Sequence, residues 1–147
     1  MNELATVMPL THAPGNAPTR AHAGDAGLDL RAAVDVTIPV GDRALVPTGV
    51  AVAMPEGHVG MVCPRSGLAA RHGVTVLNAP GIIDAGYRGD IGVVLVNHGR
   101  RRVSIEKGDR IAQLVLVPVT IPTLRHVDEL PPADDGRDAD GFGSTGA

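Results

Sequence analysis

The sequence predicts an all-β fold, a jelly-roll-like β-barrel or sandwich with one short helix, and three observations support it. Val and Ile together number 26 against 12 Leu, and β-branched side chains favour strands over helices. The 19 Gly and 12 Pro separate short apolar runs, as expected for many short strands joined by turns. No stretch has the alternating strand and helix spacing that a parallel sheet requires.

Eleven apolar runs bounded by turn residues are predicted as strands. In chain order they are Leu4–Leu10, Leu28–Ala32, Val34–Ile38, Ala44–Val46, Val50–Met54, His58–Cys63, Val74–Leu77, Gly92–Asn97, Arg102–Ile105, Ile111–Val117 and Thr120–Arg125. Alternation in Val34–Ile38 predicts a half-buried strand, whereas the apolar run Leu114–Val117 predicts burial on both faces. The one predicted helix covers Ser66–His72 and is short.

Composition limits both the core and the partners. A chain of 147 residues suits one domain. Tyr87 and Phe142 are its only aromatic residues, so the core must consist of Val, Ile, Leu and Ala, and an aromatic platform for single-stranded nucleic acid is excluded. The net charge of −3 does not favour nucleic acid or an anionic membrane surface as partners.

Cysteine usage and the ends of the chain suggest its compartment. Cys63 is the only cysteine, so no intrachain disulfide forms, and we expect a buried, inert thiol. The sequence has no signal-peptide pattern and no apolar run long enough to span a membrane. We therefore expect a cytoplasmic protein.

The composition changes at Leu130. Residues 131–147 contain Pro131, Pro132, four Asp and four Gly, which predicts a mobile C-terminal arm after a β domain over residues 1–130. When extended, the arm reaches about 55 Å. The radius of gyration of the domain should be only about 15 Å. The arm is therefore long enough to cross to a neighbouring subunit.

Two polar segments in the first half of the chain are candidates for chemistry. In residues 26–32, Asp29 lies between two Leu and faces away from them, and the alternative is an exposed strand carboxylate. In residues 64–69, Ser66-Gly67 opens the predicted helix, where free N–H groups and the helix dipole can hold an anion. Arg65 beside them can pair with a phosphate. The alternative is that Ser66 is only a helix N-cap.

A third segment, residues 77–90, is rich in polar residues and Gly between two apolar strands, which favours a functional loop. Asn78 offers a donor and an acceptor, as needed to read a nucleobase edge. Asp84 can orient and deprotonate a water molecule. The alternatives are an Asx turn at Asp84 and a core or corner position for Tyr87.

A fourth segment, residues 108–114, is a turn that enters a strand. Alternation predicts that Arg110 and Ala112 share one face of this strand while Gln113 points to the other. The alternative reading of the turn is an ordinary ion pair between Asp109 and Arg110.

The fifth segment, residues 137–146, is Gly-rich. Residues 141–146 match G-x-G-x-x-G literally, but no strand precedes them, so a dinucleotide fingerprint is rejected. A Gly-rich run with Ser and Thr hydroxyls can still wrap phosphates with its backbone N–H groups. The alternative is a disordered end, which would leave Phe142 without a purpose. The six His lack metal-site spacing.

Taken in this order, the five segments resemble the motifs of the trimeric dUTPase (deoxyuridine 5′-triphosphate nucleotidohydrolase) family, over roughly residues 23–146. The resemblance implies a jelly-roll homotrimer whose three active sites lie at subunit junctions. One subunit would supply the first, second and fourth segments, another the third, and the last its arm. The implied reaction converts dUTP and water to dUMP and pyrophosphate with Mg²⁺, which keeps uracil out of DNA and supplies dUMP for thymidylate synthesis.

The resemblance also implies residue roles by position. Asp84 would hold the attacking water in catalysis, with Arg65 and Gln113 beside the phosphates. Asn78 would read uracil, and Tyr87 would pack under the deoxyribose. Asp29 would support the metal through water. The implied substrate-binding residues are Ser66, Gly67, Asn78, Ile83, Tyr87, Arg137, Phe142, Gly143, Ser144 and Thr145.

The chain departs from the family pattern at two places. Asp138 and Asp140 stand where the arm usually has Gly, which adds negative charge near a triphosphate and restricts the backbone. Asp90 stands where Glu is more frequent. The two arm aspartates are the only support for a different reading, a non-catalytic trimeric binding or regulatory protein.

A related dCTP deaminase, alone or bifunctional, is the alternative enzyme. Such an enzyme shares the fold and resembles the chain in Arg65-Ser66 and in Ala85-Gly86-Tyr87. Its chemistry needs a Glu as proton shuttle in the strand after the third segment. The chain has Val94 at that place, so deamination is not expected.

Overall fold

Residues 6–134, 136 and 139 are described by a computed structural model. This part of the chain forms eleven strands and one helix. They are β1 (Leu10–His12), β2 (Gly27–Arg31), β3 (Val36–Ile38), β4 (Arg43–Pro47), β5 (Val50–Val52), β6 (His58–Cys63), α1 (Ser66–His72), β7 (Val74–Val76), β8 (Gly81–Ile83), β9 (Gly92–Asn97), β10 (Val103–Ile105) and β11 (Arg110–Pro118).

The strands build a jelly-roll-like fold, which confirms the predicted class. One sheet has four strands in the order β2-β11-β6-β8, and a second has three in the order β4-β9-β7. Two further pairs, β1 with β5 and β10 with β3, complete the structure. Every strand pair is antiparallel, as the absence of strand–helix–strand spacing predicted. No helix in the described residues is long and apolar enough to cross a membrane.

The two larger sheets bury their inner side chains in one cluster, which includes Leu30 and Leu114 from one sheet and Val46 and Leu95 from the other. Within the described residues, this core consists of Val, Ile, Leu and Ala with Met54 as the single exception. Tyr87 is not part of it, since that residue is 46% exposed. The prediction that the core does without aromatic side chains is confirmed for this part of the chain.

The helix α1 covers the predicted residues. It ends at Gly73, whose φ of 68° lies in the left-handed region and whose N–H donates to the carbonyl of Ala69. A Cβ at Gly73 would stand only 2.6 Å from the backbone nitrogen of Gly99. Both the backbone conformation and the close approach therefore require glycine here. Arg71 and His72 occupy the last turn, where positive charge is favourable.

Two of the predicted strands are wrong. The first strand covers Leu10–His12 instead of Leu4–Leu10: residues 6–9 belong to no strand, and residues 4 and 5 lie outside the described part. Thr120–Arg125 forms no strand, and Ile121 and Leu124 are 80% and 79% exposed. Pro122 in this run cannot donate a ladder hydrogen bond, and the described residues offer it no neighbouring strand.

One strand was missed, and one predicted burial pattern is wrong. The strand β8 was not predicted, because its three residues after Pro80 are too few to display a period. The run Leu114–Val117 is not buried on both faces: Leu114 is fully buried, but Val115 to Val117 are half-buried. The strand β11 is central in its sheet, but both of its faces would be buried only if another layer also packed on the outer face. In contrast, Val36–Ile38 exposes Thr37 and buries Ile38, as its alternation predicted.

Candidate active site

A cleft of about 670 Å³ lies between the start of α1 and the strands β2 and β11. It brings together three of the predicted segments, which are far apart along the chain. The predicted site residues that line it are Asp29, Arg65, Ser66, Gly67 and Gln113. Strand register explains the meeting, because Gln113 pairs with Asp29 on one side and with Cys63 on the other. Cys63 is free and only half-buried, so the expectation of a buried thiol is wrong.

A single carboxylate at the floor of the cleft holds two guanidinium groups. Arg65 donates from Nε to Asp29 Oδ1 at 3.0 Å, and Arg110 donates from Nη1 to Asp29 Oδ2 at 3.4 Å. The Asp29 side chain is only 15% exposed, so the alternative of a solvated strand aspartate is wrong. Two positive groups around one negative group leave one net positive charge in this cluster.

Arg110 reaches this carboxylate because of a β-bulge in β11. The register with β2 shifts between Arg110 and Ala112. These two residues are two positions apart in β11, whereas their partners Arg31 and Leu30 are adjacent in β2. The inserted residue reverses the alternation, so Arg110 faces the cleft together with Gln113. The prediction that Arg110 shares a face with Ala112 is therefore wrong.

The ion pair between Asp109 and Arg110, the alternative reading of the turn, does not form. The carboxylate of Asp109 instead accepts from the backbone N–H of Glu106 at 2.9 Å. Asp109 thus orders the turn before β11, and the Arg110 side chain lines the cleft.

The side chain of Gln113 is fixed from two directions. Its Nε2 donates to the carbonyl of Pro64 at 2.9 Å, which ties β11 to the residue before Arg65. On its other side lies Gly27, where an added Cβ would overlap Oε1 of Gln113 and stand 3.1 Å from its Cδ. Gly27 therefore provides the space in which the glutamine amide lies.

Ser66 begins α1, and its hydroxyl is not used as a cap. The N-cap residue is Arg65, in an extended conformation and without a side-chain capping bond. The alternative reading of Ser66 as an N-cap is therefore wrong. Its exposed hydroxyl and the first N–H groups of the helix are available to an anion in the cleft.

The third segment lines a different part of the surface. Asn78 and Ile83 line a pocket of about 90 Å³, and Asp84 and Tyr87 line an adjoining pocket of about 250 Å³. The two pockets share Ile82, Ile83 and Gly92 and so form a continuous surface. The carboxylate of Asp84 has no hydrogen bond to another described residue, so an Asx turn is not what holds it.

Tyr87 lies on the surface over its own loop. Its N–H donates to the carbonyl of Asp84 at 3.0 Å, and its hydroxyl donates to the carbonyl of Asp90 at 2.8 Å. The ring covers Gly89, where an added Cβ would stand 2.7 Å from Cζ. With nearly half its area exposed, Tyr87 is not a core residue, so the core alternative is wrong. The bond from its hydroxyl to a backbone carbonyl fits the corner alternative.

Within one chain, the third segment does not line the cleft. The strands β2 and β8 form opposite edges of the four-stranded sheet. Three inter-strand spacings separate them by about 14 Å. Asp29 and Asp84 are therefore not brought together. The remaining predicted substrate-binding residues lie outside the described residues; they are Arg137, Phe142, Gly143, Ser144 and Thr145.

Sequence reasoning missed several residues that shape these surfaces. Gly27 leaves room for Gln113, a relation visible only once the strands are paired, and Gly89 leaves room for Tyr87, which the turn of their own loop brings over it. Arg71 also lines the cleft, one helical turn after Gly67. The spacing of four residues in the predicted helix was a signal that could have found it.

The fold and the cleft define an antiparallel jelly-roll-like domain with a cleft whose groups suit an anion: guanidinium groups, an exposed serine hydroxyl and the start of a helix. The chain belongs to the dUTPase family, whose model matches residues 13–146. The deoxyuridine 5′-triphosphate nucleotidohydrolase of Anaeromyxobacter sp. (strain Fw109-5) is 59% identical over 123 residues, which cover 84% of this chain and 82% of that protein. The protein of the same name from Leifsonia xyli is 54% identical over 130 residues, covering 88% and 84%.

Solved structures of phage enzymes share the fold. The Staphylococcus bacteriophage 80alpha dUTPase with dUPNHPP superposes with a TM-score of 0.88 at 31% identity, covering 96% of this chain and 99% of that chain. A mutant dUTPase of phage phi11 of S. aureus superposes with a TM-score of 0.77 at 30% identity, covering 84% and 98%. That structure is described as showing the coordination of a structural Mg(II) ion.

Proposed function

We propose that the protein is a dUTP diphosphatase that hydrolyses dUTP to dUMP and pyrophosphate. The observation that carries the proposal is the cleft in which Asp29, Arg65, Ser66 and Gln113 converge from three distant segments in a chain of the dUTPase family. A triphosphate needs charge neutralisation and precise positioning, and this cleft supplies guanidinium groups, a hydroxyl and backbone N–H donors.

In the proposed reaction, water attacks the α-phosphorus and pyrophosphate leaves. Ser66 and Gly67 bind the phosphate chain through the hydroxyl and the backbone. Arg65 and Gln113 stabilise the charge that develops during attack, since fixed donors at the transition state lower the barrier. Asp84 orients the water and takes its proton, a role for which its carboxylate is left free by its described neighbours.

The third segment binds the nucleoside in this proposal. Asn78 reads the uracil edge with its amide, and Ile83 packs beside it in the same pocket. Tyr87 presents its exposed ring to the deoxyribose, where it excludes a 2′-hydroxyl. Its position is supported by the hydrogen bond to the carbonyl of Asp90.

The proposed site needs more than one subunit. Asp84 and Tyr87 follow β8, the edge strand that lies three strand spacings, about 14 Å, from β2 and Asp29 in the same sheet, and neither residue lines the cleft of its own chain. We infer that they serve the cleft of a neighbour in a homotrimer. The β domain, residues 1–130, would carry both surfaces, and the arm, residues 131–147, would close the site of a third chain with Arg137, Phe142, Gly143, Ser144 and Thr145.

Magnesium fits this site only as an ion carried by the substrate. The described residues contain no group of three or more His, Cys, Asp or Glu placed to hold a metal. Both oxygens of Asp29 already accept from arginines, so this carboxylate would reach the ion through water. Mg²⁺ prefers oxygen ligands and keeps several waters, and it would neutralise charge on the phosphates.

The proposed activity removes dUTP, keeps uracil out of DNA and supplies dUMP for thymidylate synthesis, and we infer that it does so in the cytoplasm without a nucleic acid or membrane partner. Deamination of dCTP is not favoured. Val94 lines the pocket that contains Asn78 and brings no carboxylate to serve as proton shuttle.

The test is the release of pyrophosphate from dUTP, dCTP, dTTP and UTP at equal concentration with Mg²⁺. We expect turnover of dUTP and little turnover of the other three. Equal rates on all four substrates, or none on dUTP, would contradict the proposal. Ammonia release from dCTP would favour the deaminase instead. Chelation of Mg²⁺ should lower the rate on dUTP, and added Mg²⁺ should restore it.

A further inference from the structure

Arg71 lines the cleft and has no role in the function proposed above. Arg71 lies in the last turn of α1, four residues after Gly67. Helical side chains lean towards the N-terminus of their helix, so a residue at this spacing reaches back over the previous turn. Its Nη2 lies 3.5 Å from the position that a Cβ of Gly67 would occupy. The Arg71 guanidinium therefore lies beside the backbone that opens the helix, and it lines the cleft.

Arg71 differs from the other charged groups of the cleft, because these have partners within the described residues. The pairs of Arg65 and Arg110 with Asp29 leave one net positive charge. The other carboxylate in the lining, Asp25, accepts from the N–H of His22 and lies 3.1 Å from its Nδ1. Arg71 forms neither an ion pair nor a side-chain hydrogen bond with another described residue. It is therefore the guanidinium of this cleft whose donors are not committed within the described chain.

We propose that Arg71 is a further substrate-binding residue of the cleft, and that it binds the β- and γ-phosphates of the nucleotide. The inference rests on the proposed function, because it assigns the phosphate chain to the start of α1. A planar guanidinium with free donors can take two oxygens of a phosphate in one plane. Arg71 thereby makes the cleft selective for nucleotides with a polyphosphate over the monophosphate product.

A purely structural role makes a different prediction. A cation in the last helical turn stabilises the helix through its dipole, whatever the ligand. In that case replacement of Arg71 would lower thermal stability and leave nucleotide binding unchanged. Lysine at this position would keep the charge and the dipole interaction but would lack the planar donor pair.

The experiment compares wild type, Arg71→Gln and Arg71→Lys in the full chain, with Arg43→Gln as the matched control. Arg43 lies exposed on β4, outside the lining of the cleft, and loses the same charge in the same substitution. The dissociation constants of dUMP, dUDP and the non-hydrolysable analogue dUPNHPP are measured by calorimetry, with the melting temperature of each variant and the KM for dUTP.

We expect Arg71→Gln to weaken binding of dUDP and dUPNHPP by roughly 10-fold and to change dUMP binding by less than about twofold, as for the loss of a charged hydrogen bond. The affinities of Arg71→Lys for dUDP and dUPNHPP should lie between those of Arg71→Gln and wild type, and the affinities of Arg43→Gln should match those of wild type. Equal affinities of Arg71→Gln and wild type for all three ligands, or the same loss on all three, would overturn the assignment. Absence of dUTP hydrolysis by wild type would instead contradict the proposed function, while the affinity ratios still decide the role of Arg71.

Discussion

Gly89 provides the most direct test of the nucleoside-binding role of Tyr87. An alanine at this position places a Cβ 2.5 Å from the Tyr87 hydroxyl oxygen and 2.7 Å from Cζ, where ordinary contacts begin at 3.4 Å. The hydroxyl must therefore retreat by about 0.9 Å, the difference between 2.5 and 3.4 Å. Because its hydrogen bond to the carbonyl of Asp90 is 2.8 Å long, such a shift stretches or breaks it.

The substitution should affect activity far more than stability. Loss of one hydrogen bond costs about 0.5–1.5 kcal/mol. Replacing a glycine in an allowed conformation restores about 0.4–1 kcal/mol through the unfolded chain. The two effects nearly cancel, so the melting temperature should change little. A displacement near 1 Å at a reacting site can lower turnover about 100-fold, so we expect kcat/KM for dUTP to fall by roughly 10- to 100-fold.

The assay is the steady-state rate of pyrophosphate release from dUTP and UTP by wild type, Gly89→Ala and Gly86→Ala. Gly86 belongs to the same loop, and an added Cβ there meets nothing within 4 Å, so its variant should behave as wild type. Because the tyrosine ring is proposed to exclude the 2′-hydroxyl, Gly89→Ala should also discriminate less against UTP. A Gly89→Ala enzyme with the wild-type kcat/KM and the wild-type preference for dUTP would refute the reasoning.

Three further predictions concern the cleft, the water and the arm. Gly27→Ala should displace the Gln113 amide and lower kcat by roughly 10-fold, less than the roughly 100- to 1000-fold cost of losing a fixed donor outright, because the amide is moved and not removed. Gly24→Ala, where an added Cβ meets nothing within 4 Å, should leave kcat unchanged, and equal rates of the two variants would contradict this. Asp84→Asn should bind dUPNHPP with near-normal affinity and lose most turnover, and normal turnover would show that Asp84 does not activate the water. Deletion of the residues after Gly136 should abolish most activity and preserve the trimer in light scattering, and full activity would show that the arm is dispensable.

Much of the fold follows from local patterns. The helix over Ser66–His72 and the strand over His58–Cys63 were predicted at their observed bounds. Thr120–Arg125 was also predicted from its apolar residues and forms no strand, because a strand also needs a partner for its backbone. The strands β3 and β5 are shorter than predicted for the same reason, since pairing begins two residues late in β3 and ends two residues early in β5.

The candidate site, like the fold, has features that the sequence predicts and features that depend on how strands and turns pack. The residue types of the five segments suffice to identify the chemistry, since carboxylates, arginines and a serine before a helix suit a phosphate substrate. Arg110 was assigned to the wrong face because a bulge of one residue has no signature in alternation. The importance of Gly27 and Gly89 could not be seen, since each makes room for a residue that pairing or a turn brings over it.

The all-β class, the aliphatic core and the segments that carry chemistry can be predicted from the sequence, because these depend on side-chain type and short-range period. Two relations depend on the tertiary structure: Asp29 holds two arginines, and the third segment lies at the opposite edge of the sheet from Asp29. Both relations join residues far apart along the chain. They arise from strand register and from the bulge that changes it, and neither is encoded in a local pattern.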